Sequence, residues 1–416
     1  MQRVRLNLPY LRQHDWEPVV LALEPDMVEG GVIDPMLANT YPCDIQVVRI
    51  RGISPRYTRK FGVGNLWWRC GRALTKAGDE LMRKEKFDLV FISTTQFSAF
   101  QLGPRWKRKF GVPYVLDYQD PWINPYYRRT NTRPPGGPIK FALSQWAARR
   151  IEPRALRGAS GVIAVSDAYG KGLAESYPWF DAQKVKLLPF GASSSDFSAL
   201  GSYRPAQPLV NFDDECFHHV YTGRCGPDMS FAMCVLFRAF KRFLISHPAE
   251  AEKTRFHFIG TDYAPPPLGR EWAMPAAVTE GVERYVHEHC YRVPYFDALY
   301  YLKRANALVG VGSNDPTYAA SKIFPYILAE RPMVLIYHQT SLVLTFSKRM
   351  SVGARFSFHG PQDIDSLADM VHREWFVSRK RYTYEPYNRP AFEPFTAATL
   401  TTQLADIFND AIKSKL

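Results

Sequence analysis

The sequence predicts an α/β protein with two domains, each built on a doubly wound parallel sheet. Three observations indicate this fold class. Short apolar runs alternate with helical segments over most of residues 19–189, a Ser-, Pro- and Gly-rich stretch covers 191–214, and a second alternation follows it. Strands that alternate with helices usually lie parallel in one sheet. A chain of 416 residues also exceeds what one ordinary core supports.

The elements of the first alternation follow from apolar periodicity. We expect strands at the short apolar or alternating runs 19–23, 44–50, 87–93, 113–117, 161–166 and 185–189. Apolar residues at helical spacing predict the intervening helices 66–84, 97–110, 139–156 and 167–177. The stretch 191–214 has the composition of a linker or hinge.

The second alternation is interpreted in the same way. We expect strands at 219–222, 255–260, 291–293, 307–312 and 333–337. We expect helices at 230–246, 276–289, 296–304 and 319–330, and a final amphipathic helix at 397–415. The domains expected from this order are 1–200, 201–390, and a C-terminal helix in 391–416 that packs back on the first domain.

Positive charge is concentrated in the N-terminal half. The formal net charge is +13, and residues 51–150 hold 20 Lys+Arg against 6 Asp+Glu. Clustered charge of this kind favours an anionic partner such as an acidic membrane face, a phosphorylated acceptor or nucleic acid. A solvated surface rich in cations is the alternative.

The sequence disfavours a membrane-spanning, a disulfide-rich and a metal-binding protein. No apolar run approaches the roughly 20 residues needed to span a bilayer, which indicates a soluble or peripheral protein. The six cysteines contain no Cys-x-x-Cys pair, so we expect reduced thiols in a cytoplasmic setting. His287, His289 and Cys290 lie close together, but no second cluster accompanies them, and we expect a polar helix face and no metal site.

The most informative stretch is 307–337, where strand, loop, helix and strand indicate a parallel βαβ unit. Such units bind ligands beyond the carboxyl ends of their strands. That edge carries a set of polar residues: Ser313, Asn314, Asp315, Ser321 and Lys322. A helix start with a hydroxyl and an ammonium suits a phosphate. The alternative is that Ser321 only caps the helix and Lys322 is a solvated surface lysine.

Motifs spread over nearly the whole chain resemble a known family. They are FDLVFIST and FGVPYVLDYQDPW (87–94 and 110–122), LRGASGVIAVSDAYGKGL (156–173), KVKLLPFGASSSDF (184–197), VYTGR (220–224) and ASKIFPYILAERPMV (320–334). In this order they resemble the glycosyltransferases with the GT-B fold, and in particular the family-4-like group. The resemblance implies two facing Rossmann-like domains with an interdomain cleft.

The resemblance also implies a reaction. Such enzymes move a sugar from a nucleotide-diphosphate sugar to an acceptor, and negative charge grows on the departing diphosphate. Fixed cations and donors stabilise that charge, and the matching residues here are Gly223, Arg224, Ser321 and Lys322. Ser313, Asn314 and Asp315 then form the loop for the donor sugar and ribose. Beyond the donor we expect no cofactor, and no metal.

In the first domain, the catalytic candidates follow the strand predicted at 113–117. The resemblance implies that Asp120 takes or organises the proton of the acceptor hydroxyl. Gln119 stands where many members carry His, and we expect Asp117 to be a cap or supporting carboxylate. The acceptor is expected to be a sugar or a lipid-linked sugar, as in bacterial-type surface polysaccharide or glycolipid synthesis.

The chain departs from the family pattern at several positions. Met229 stands where many members have Lys, and Pro325 replaces the carboxylate that usually binds the nucleotide ribose. Asp315 is our candidate for the missing ribose contact. These losses leave alternatives open: a catalytically silent relative, a nucleotide-sugar epimerase on the same fold, or a protein that binds an anionic polymer.

The N-terminal segment and two basic stretches predict further features of the protein. Family members open with a buried strand, whereas 1–16 already resembles the first helix, with Val4, Leu8 and Leu11 on one face. We expect the first sheet to lack its first strand and the chain to be a shortened version of a longer protein. The basic stretches 126–133 and 139–150 predict a peripheral location at an anionic inner membrane face. No nucleic-acid partner is expected.

Overall fold

The structure is a computed structural model that describes residues 2–28, 31–58, 65–123, 137–315, 321–359 and 363–413. These residues divide into two compact units. The first unit contains Met1–Glu29, Tyr41–Phe190 and Ala397–Leu416, and the second contains Gly30–Thr40 and Gly191–Thr396. The chain thus passes to the second unit before the boundary expected at 200, and its C-terminal helix belongs to the first unit.

The strands of the described residues are all paired in parallel. Numbered in chain order they are β1 (Val20–Leu23), β2 (Val47–Ile50), β3 (Val90–Ser93), β4 (Tyr114–Tyr118), β5 (Gly161–Ala164), β6 (Val185–Leu187), β7 (Phe217–Thr222), β8 (Thr254–Ile259), β9 (Val286–His289), β10 (Ala307–Val311), β11 (Met333–His338) and β12 (Ala354–Phe358).

The α-helices are numbered in the same way. They are α1 (Gln2–Asn7), α2 (Pro55–Thr58), α3 (Leu66–Lys84), α4 (Leu102–Phe110), α5 (Pro138–Gly158), α6 (Asp167–Ser176), α7 (Ser194–Leu200), α8 (Ser230–Ser246), α9 (Pro248–Ala251), α10 (Ala273–Glu280), α11 (Tyr295–Arg304), α12 (Ile323–Ala329), α13 (Leu342–Arg349), α14 (Ile364–Val371), α15 (Arg389–Phe392) and α16 (Ala397–Lys413). Within the described residues, no helix is both long enough and apolar enough to cross a bilayer.

Short 3-10 and π segments connect these elements. The 3-10 helices are Leu11–His14, Pro25–Met27, Pro35–Thr40, Phe97–Gln101, Ala182–Lys184, Pro227–Met229, Glu283–Tyr285, Arg379–Tyr382 and Glu393–Phe395. One π-helical segment, His372–Val377, directly follows α14.

In the first unit, the described strands form two sheets. One sheet has the order β3-β4-β5-β6, and the other is the pair β1-β2. Side chains alternate between the faces of β4. Leu116 packs with Phe100 and Trp106 on one face, whereas Val115 on the other face packs against apolar residues of the two chain ends.

The face of Val115 is covered by the N-terminal segment and α16. Leu8 and Leu11 are buried there, as the apolar spacing at the N-terminus predicts, and they share one cluster with Leu404 and Phe408 of α16. Residues from the two ends of the chain therefore complete the same core. Each large apolar side chain buried in this way contributes about 1.5–3 kcal/mol.

The second unit contains one sheet with the order β12-β11-β10-β7-β8-β9. Both faces are covered, as expected for a parallel sheet. The helix α8 has the predicted bounds, and its apolar stripe is buried in the core: Met233, Leu236, Phe237, Phe240 and Phe243. The face of the sheet opposite α8 packs against α11 and α12.

Several predicted elements are wrong in detail. The helix predicted at 276–289 ends at Glu280, because Gly281 turns left-handed with φ 72°, and 286–289 instead pairs with β8 as β9. The strand predicted at 291–293 is not a strand. The stretch 191–214 is not only a linker, since it contains α7.

The helix predicted at 319–330 is shorter than expected. It begins at Ile323 and ends at Ala329, because Glu330 adopts a left-handed conformation with φ 57°. Residues 316–320 lie outside the described residues. Ser321 and Lys322 therefore precede the helix and do not lie in its first turn.

Candidate active site

The residues predicted to bind the donor lie where the strand order of the second unit's sheet reverses, between β7 and β10. From β7 the chain adds β8 and β9 on one side, and then crosses over to add β10, β11 and β12 on the other. Ligands of parallel sheets bind at such a switch point, beyond the carboxyl ends of the strands. The loops that leave this point are 223–229 after β7 and 312–315 after β10.

Gly223 brings the backbone of the first loop against Lys322. Its φ is 121°, a conformation that favours glycine. A Cβ at this position would lie 2.8 Å from Cε and 3.0 Å from Nζ of Lys322. Any larger residue would therefore push the lysine side chain away from the loop.

The ammonium of Lys322 is held by neutral oxygens. Its Nζ donates to the carbonyl oxygen of Arg224 at 3.2 Å and to the hydroxyl of Tyr221. It also lies 4.1 Å from the centroid of the Tyr221 ring, within cation–π range. Burial lowers the pKa of Lys322 to about 7. A bound anion would favour the charged form of this lysine.

Arg224 is held in place by a carboxylate of its own loop. Its Nη1 lies 3.1 Å from Oδ1 and its Nη2 3.0 Å from Oδ2 of Asp228, a bidentate pair. The sulfur of Met229, at the position where many family members have Lys, is buried 3.9 Å from Nη1. The guanidinium remains 29% exposed. It can therefore reach a ligand while its orientation is fixed.

The loop after β10 is joined to the same site. The backbone N–H of Asn314 donates to the carbonyl oxygen of Asp228 at 2.8 Å. The buried hydroxyl of Ser313 accepts from the backbone N–H of Asp315 at 3.0 Å. Ser321 is exposed and directly precedes Lys322. The structure thus places the predicted residues of the second unit around one switch point.

Two tyrosines that the sequence did not single out stabilise this arrangement. The buried hydroxyl of Tyr326 on α12 accepts from the backbone N–H of Thr222 at 3.0 Å. The buried Tyr221 donates to the Arg224 carbonyl oxygen. The contacts of Tyr326 with Thr222 and of Tyr221 with Lys322 join residues 104 and 101 positions apart, so no local pattern could indicate them.

In the first unit, a buried carboxylate forms the centre of the second cluster. Asp117 is fully buried at the end of β4. Its Oδ2 accepts from Arg3 Nε at 2.9 Å, from the Ser93 hydroxyl at 2.7 Å and from Gln119 Nε2 at 2.9 Å. Its Oδ1 is buried and accepts no hydrogen bond from the described residues.

Arg3 and Ser93 are the residues of this cluster that the sequence did not indicate. Besides Asp117, the guanidinium of Arg3 donates to the carbonyl oxygens of Leu188 at 2.6 Å and Pro189 at 3.2 Å. Its Cζ lies 5.0 Å from the centroid of the Phe190 ring. Arg3 thereby links α1 to the ends of β4 and β6 and neutralises the buried carboxylate.

Asp120 differs from Asp117 in its exposure. It lies two residues beyond the end of β4 and is exposed to solvent. Gln119, between them, also donates to the Ser93 hydroxyl at 2.9 Å. Gln119 therefore fixes the start of the loop that carries Asp120.

The histidines and cysteine weighed as a metal site lie on and after β9. Among the described residues, no group of three or more His, Cys, Asp or Glu could hold a metal ion. His287 stacks on His257 at 5.2 Å between ring centroids. His257 and His287 lie close together because β8 and β9 are adjacent strands. The helix face expected for 287–290 is therefore wrong, since residues 286–289 form a strand.

Comparison with known proteins shows what the chain is similar to. Residues 2–191 match the family model described as a glycosyl transferase 4-like domain. Among curated proteins, no sequence matches the chain significantly. Solved structures of similar fold include glycosyltransferases that share 11–15% identity with the chain.

Three of these structures cover almost the whole chain. HepE of Anabaena, in complex with UDP-glucose, has 15% identity over 93% of this chain and 98% of HepE, with a TM-score of 0.58. Sucrose-phosphate synthase of Thermosynechococcus elongatus has 13% identity over 99% of this chain and 93% of the synthase, with a TM-score of 0.62. A UDP-forming α,α-trehalose-phosphate synthase of Burkholderia vietnamiensis has 11% identity over 96% of this chain and 100% of the synthase, with a TM-score of 0.58.

These likenesses confirm the fold class and the family resemblance predicted from the sequence. The chain has the GT-B fold of these glycosyltransferases. Its residues 2–191 form a glycosyl transferase 4-like domain.

Proposed function

We propose that the protein transfers a sugar from a nucleotide-diphosphate sugar to an acceptor hydroxyl, and that Gly223, Arg224 and Lys322 hold the donor diphosphate. The observation that carries this proposal is the environment of Lys322. Both described hydrogen-bond acceptors of its Nζ are neutral oxygens, so a diphosphate would supply the counter-charge. The fold shared with HepE, whose structure contains UDP-glucose, supports the same class of donor.

The proposed chemistry follows from the charge that the reaction creates. When the bond from the sugar to the diphosphate breaks, its electron pair moves to the phosphate oxygen. Preorganised cations lower the energy of that developing charge. Lys322 and Arg224 supply such cations, with Ser321 beside them, while Ser313, Asn314 and Asp315 are placed to contact the sugar or ribose. In this proposal no metal is needed, and a chelator should leave the transfer rate unchanged.

In the first unit, we propose that Asp120 accepts the proton of the acceptor hydroxyl. Asp117 is neutralised by Arg3 and fully buried, which makes it a poor proton acceptor for a substrate. The exposed carboxylate of Asp120 is accessible, and a positioned carboxylate contributes about 10²–10⁴-fold as a general base. Asp117 and Gln119 then act by positioning the loop of Asp120.

A thermal-shift experiment with UDP, GDP and ADP tests the donor site. One of these ligands at a hundred times its Kd should stabilise the protein by about 2.7 kcal/mol. Lys322→Ala and Arg224→Ala should abolish that shift, and replacing the exposed Lys348 of the same unit by Ala should not. If both site variants keep the full shift, the diphosphate binds elsewhere. Asp120→Asn should keep the shift but lose transfer.

We further propose that the acceptor is presented at an anionic membrane, as in surface polysaccharide or glycolipid synthesis. The helix α5 supports this proposal. Ile139, Leu143 and Trp146 are 78%, 63% and 55% exposed and lie on one face. Arg150 on the same face has its Cζ 4.0 Å from the centroid of the Trp146 ring. The other basic stretch expected to contact a membrane, 126–133, lies outside the described residues.

Vesicle flotation tests the membrane proposal. The protein should float with anionic vesicles, and the bound fraction should fall as salt is added. Ile139→Ser combined with Leu143→Ser should reduce binding, whereas Ile245→Ser, at an equally exposed isoleucine of the second unit, should not. Equal binding to neutral vesicles would contradict the electrostatic part of the proposal.

A further inference from the structure

A cavity of the first unit lies at the edge of the sheet opposite the Asp117 cluster. Its volume is about 840 Å3, and its walls come from the segments where β4, β5 and β6 begin. Asp117 and Ser93 lie where their strands end. Because parallel strands all run in one direction, the two edges are separated by the length of the strands. The cavity is therefore distinct from the candidate catalytic residues.

The cavity wall is strongly cationic. Among the described residues that line it, four carry positive charge: Lys107, Arg157, Lys184 and Lys186. Asp181 contributes one negative charge, and its Oδ1 accepts from the backbone N–H of Gln183 at 2.9 Å. The lining therefore has a formal excess of three positive charges, in a concave site where such charges concentrate an anion.

Two of the cations are held in place before any ligand arrives. Lys107 Nζ donates to the carbonyl oxygen of Gly158 at 2.9 Å. The Cζ of Arg157 lies 4.6 Å from the centroid of the Trp179 ring, a cation–π contact that holds the guanidinium plane. Trp179 is itself packed edge-on against the buried Phe180, with the ring centroids 6.0 Å apart. The indole stays 42% exposed and forms an apolar wall.

We propose that this cavity is a second anion site, which binds the phosphoryl group of a phosphate ester. Lys107, Arg157, Lys184 and Lys186 neutralise the phosphate, and Trp179 covers the organic part of the ester. Arginine and lysine are the side chains suited to phosphate. The volume lies in the range of small-molecule sites, about 300–1,000 Å3, and exceeds what a bare phosphate needs. The ester is either water-soluble or a lipid headgroup.

Paired charge-removal variants of the full chain test this site. Lys184→Ala with Lys186→Ala removes two charges from the cavity, and Lys84→Ala with Lys86→Ala removes two exposed charges elsewhere in the same unit. All proteins compared carry Lys322→Ala, so that the proposed donor site does not bind the probe; inorganic pyrophosphate is titrated into each protein and tryptophan fluorescence is measured. The cavity variant should bind at least ten times more weakly than the protein with Lys322→Ala alone, and the control variant within twofold of it. In Trp179→Phe, the fluorescence response of this site should be lost.

A second arm uses vesicles with and without phosphatidic acid. Loss of pyrophosphate binding alone in the cavity variant assigns the site to a soluble phosphate ester, whereas loss of binding to phosphatidic-acid vesicles assigns it to a lipid headgroup. Equal losses in the cavity and control variants, or no loss in either arm, would overturn the proposal. Because every protein compared carries Lys322→Ala, the outcome does not depend on the donor site in the second unit.

Discussion

The two units differ in how each holds the charge at the carboxyl-end edge of its main sheet. In the first unit, the buried carboxylate of Asp117 is neutralised by the guanidinium of Arg3. In the second unit, the ammonium of Lys322 is held by a tyrosine hydroxyl and a backbone carbonyl, which are neutral. The first arrangement balances its charge without a ligand, although the buried Oδ1 of Asp117 accepts no hydrogen bond from the described residues. The second gives the ammonium no anionic hydrogen-bond partner among the described residues, and for this reason we propose the Lys322 cluster, and not the Asp117 cluster, as the ligand site.

A third buried charge extends the comparison within the first unit. Glu152 on α5 is buried, and its partners are the hydroxyl groups of Tyr118 at 3.2 Å and Tyr177 at 2.7 Å. Burial raises the pKa of Glu152 to about 7. Glu152 is thus a carboxylate held by neutral oxygens, like Lys322 and unlike Asp117. These three residues predict different responses to mutation and pH.

Removing the cation of the first unit should have the largest effect. Arg3→Ala leaves the buried Asp117 carboxylate without its counter-charge, and breaking such a pair costs about 3–5 kcal/mol. The free energy of unfolding from urea denaturation measures this loss. Arg12→Ala removes an exposed arginine paired with Glu17 and Asp44 and should have a much smaller effect. Similar losses in the two variants would show that the burial of Arg3 is unimportant.

Glu152→Gln should change the pH dependence of stability. Because the pKa is raised from 4.5 to about 7, the folded protein binds a proton between these values that the unfolded chain has released. This contribution is therefore present at low pH and is lost as the pH rises from about 4.5 to 7, a change of about 3 kcal/mol.

The measurement for Glu152 is chemical denaturation at pH 5 and pH 8. The Gln variant should gain stability relative to the unmodified protein as the pH rises. Glu175→Gln, at an exposed glutamate on α6 of the same unit, provides the matched control. An unchanged difference between the two pH values would show that Glu152 is ionised in the folded protein throughout.

The charge of Lys322 should control donor affinity. Its pKa of about 7 means that above neutral pH the free protein must take up a proton before the ammonium can bind a diphosphate. The affinity for the nucleotide-diphosphate sugar that binds, whose diphosphate does not titrate near pH 7, should fall by up to about tenfold per pH unit above 7. Calorimetric titration at pH 6.5, 7.5 and 8.5 measures this, and Lys322→Met should remove the dependence. The same slope in both proteins would assign it to another group.

Among the variants tested for stability, controls apart, Tyr326→Phe should show the smallest loss. Tyr326→Phe removes the acceptor of the Thr222 backbone N–H at the end of β7, and an unsatisfied buried donor costs about 1–3 kcal/mol. Thermal denaturation should show this loss, together with a weaker response to nucleotide diphosphates. Tyr263→Phe, at a 66% exposed tyrosine of the same unit, should be neutral. A neutral Tyr326→Phe would mean that solvent replaces the hydroxyl.

Local patterns predicted the long elements well. The helices Leu66–Lys84 and Ser230–Ser246 have the bounds expected from apolar spacing, because a long amphipathic stripe repeats its signal over several turns. The sequence pattern places the strand Val286–His289 inside a helix, since four residues carry too little periodicity to distinguish a strand from a helix. The early start predicted for α12 was wrong for a similar reason: the polar residues before Ile323 do not define a helix end.

For the candidate sites, residue identity was predictable and pairing was not. Motifs pointed to Gly223, Arg224 and Lys322, and the structure brings them together. Neither Arg3 nor Tyr221 was indicated, although each contacts a predicted residue. Arg3 lies 114 positions from Asp117, and Lys322 lies 101 positions from Tyr221.

The sequence by itself determined that this chain forms parallel α/β sheets and carries motifs that resemble those of glycosyltransferases at the ends of particular strands. Those properties depend on apolar periodicity and on residues adjacent in the chain. Only the tertiary structure decided which partner each buried charge has, because strand order brings together residues that are far apart in sequence. The neutral partners of Lys322 and the ionic partner of Asp117 follow from that order, and they are the basis on which we propose a ligand site at Lys322.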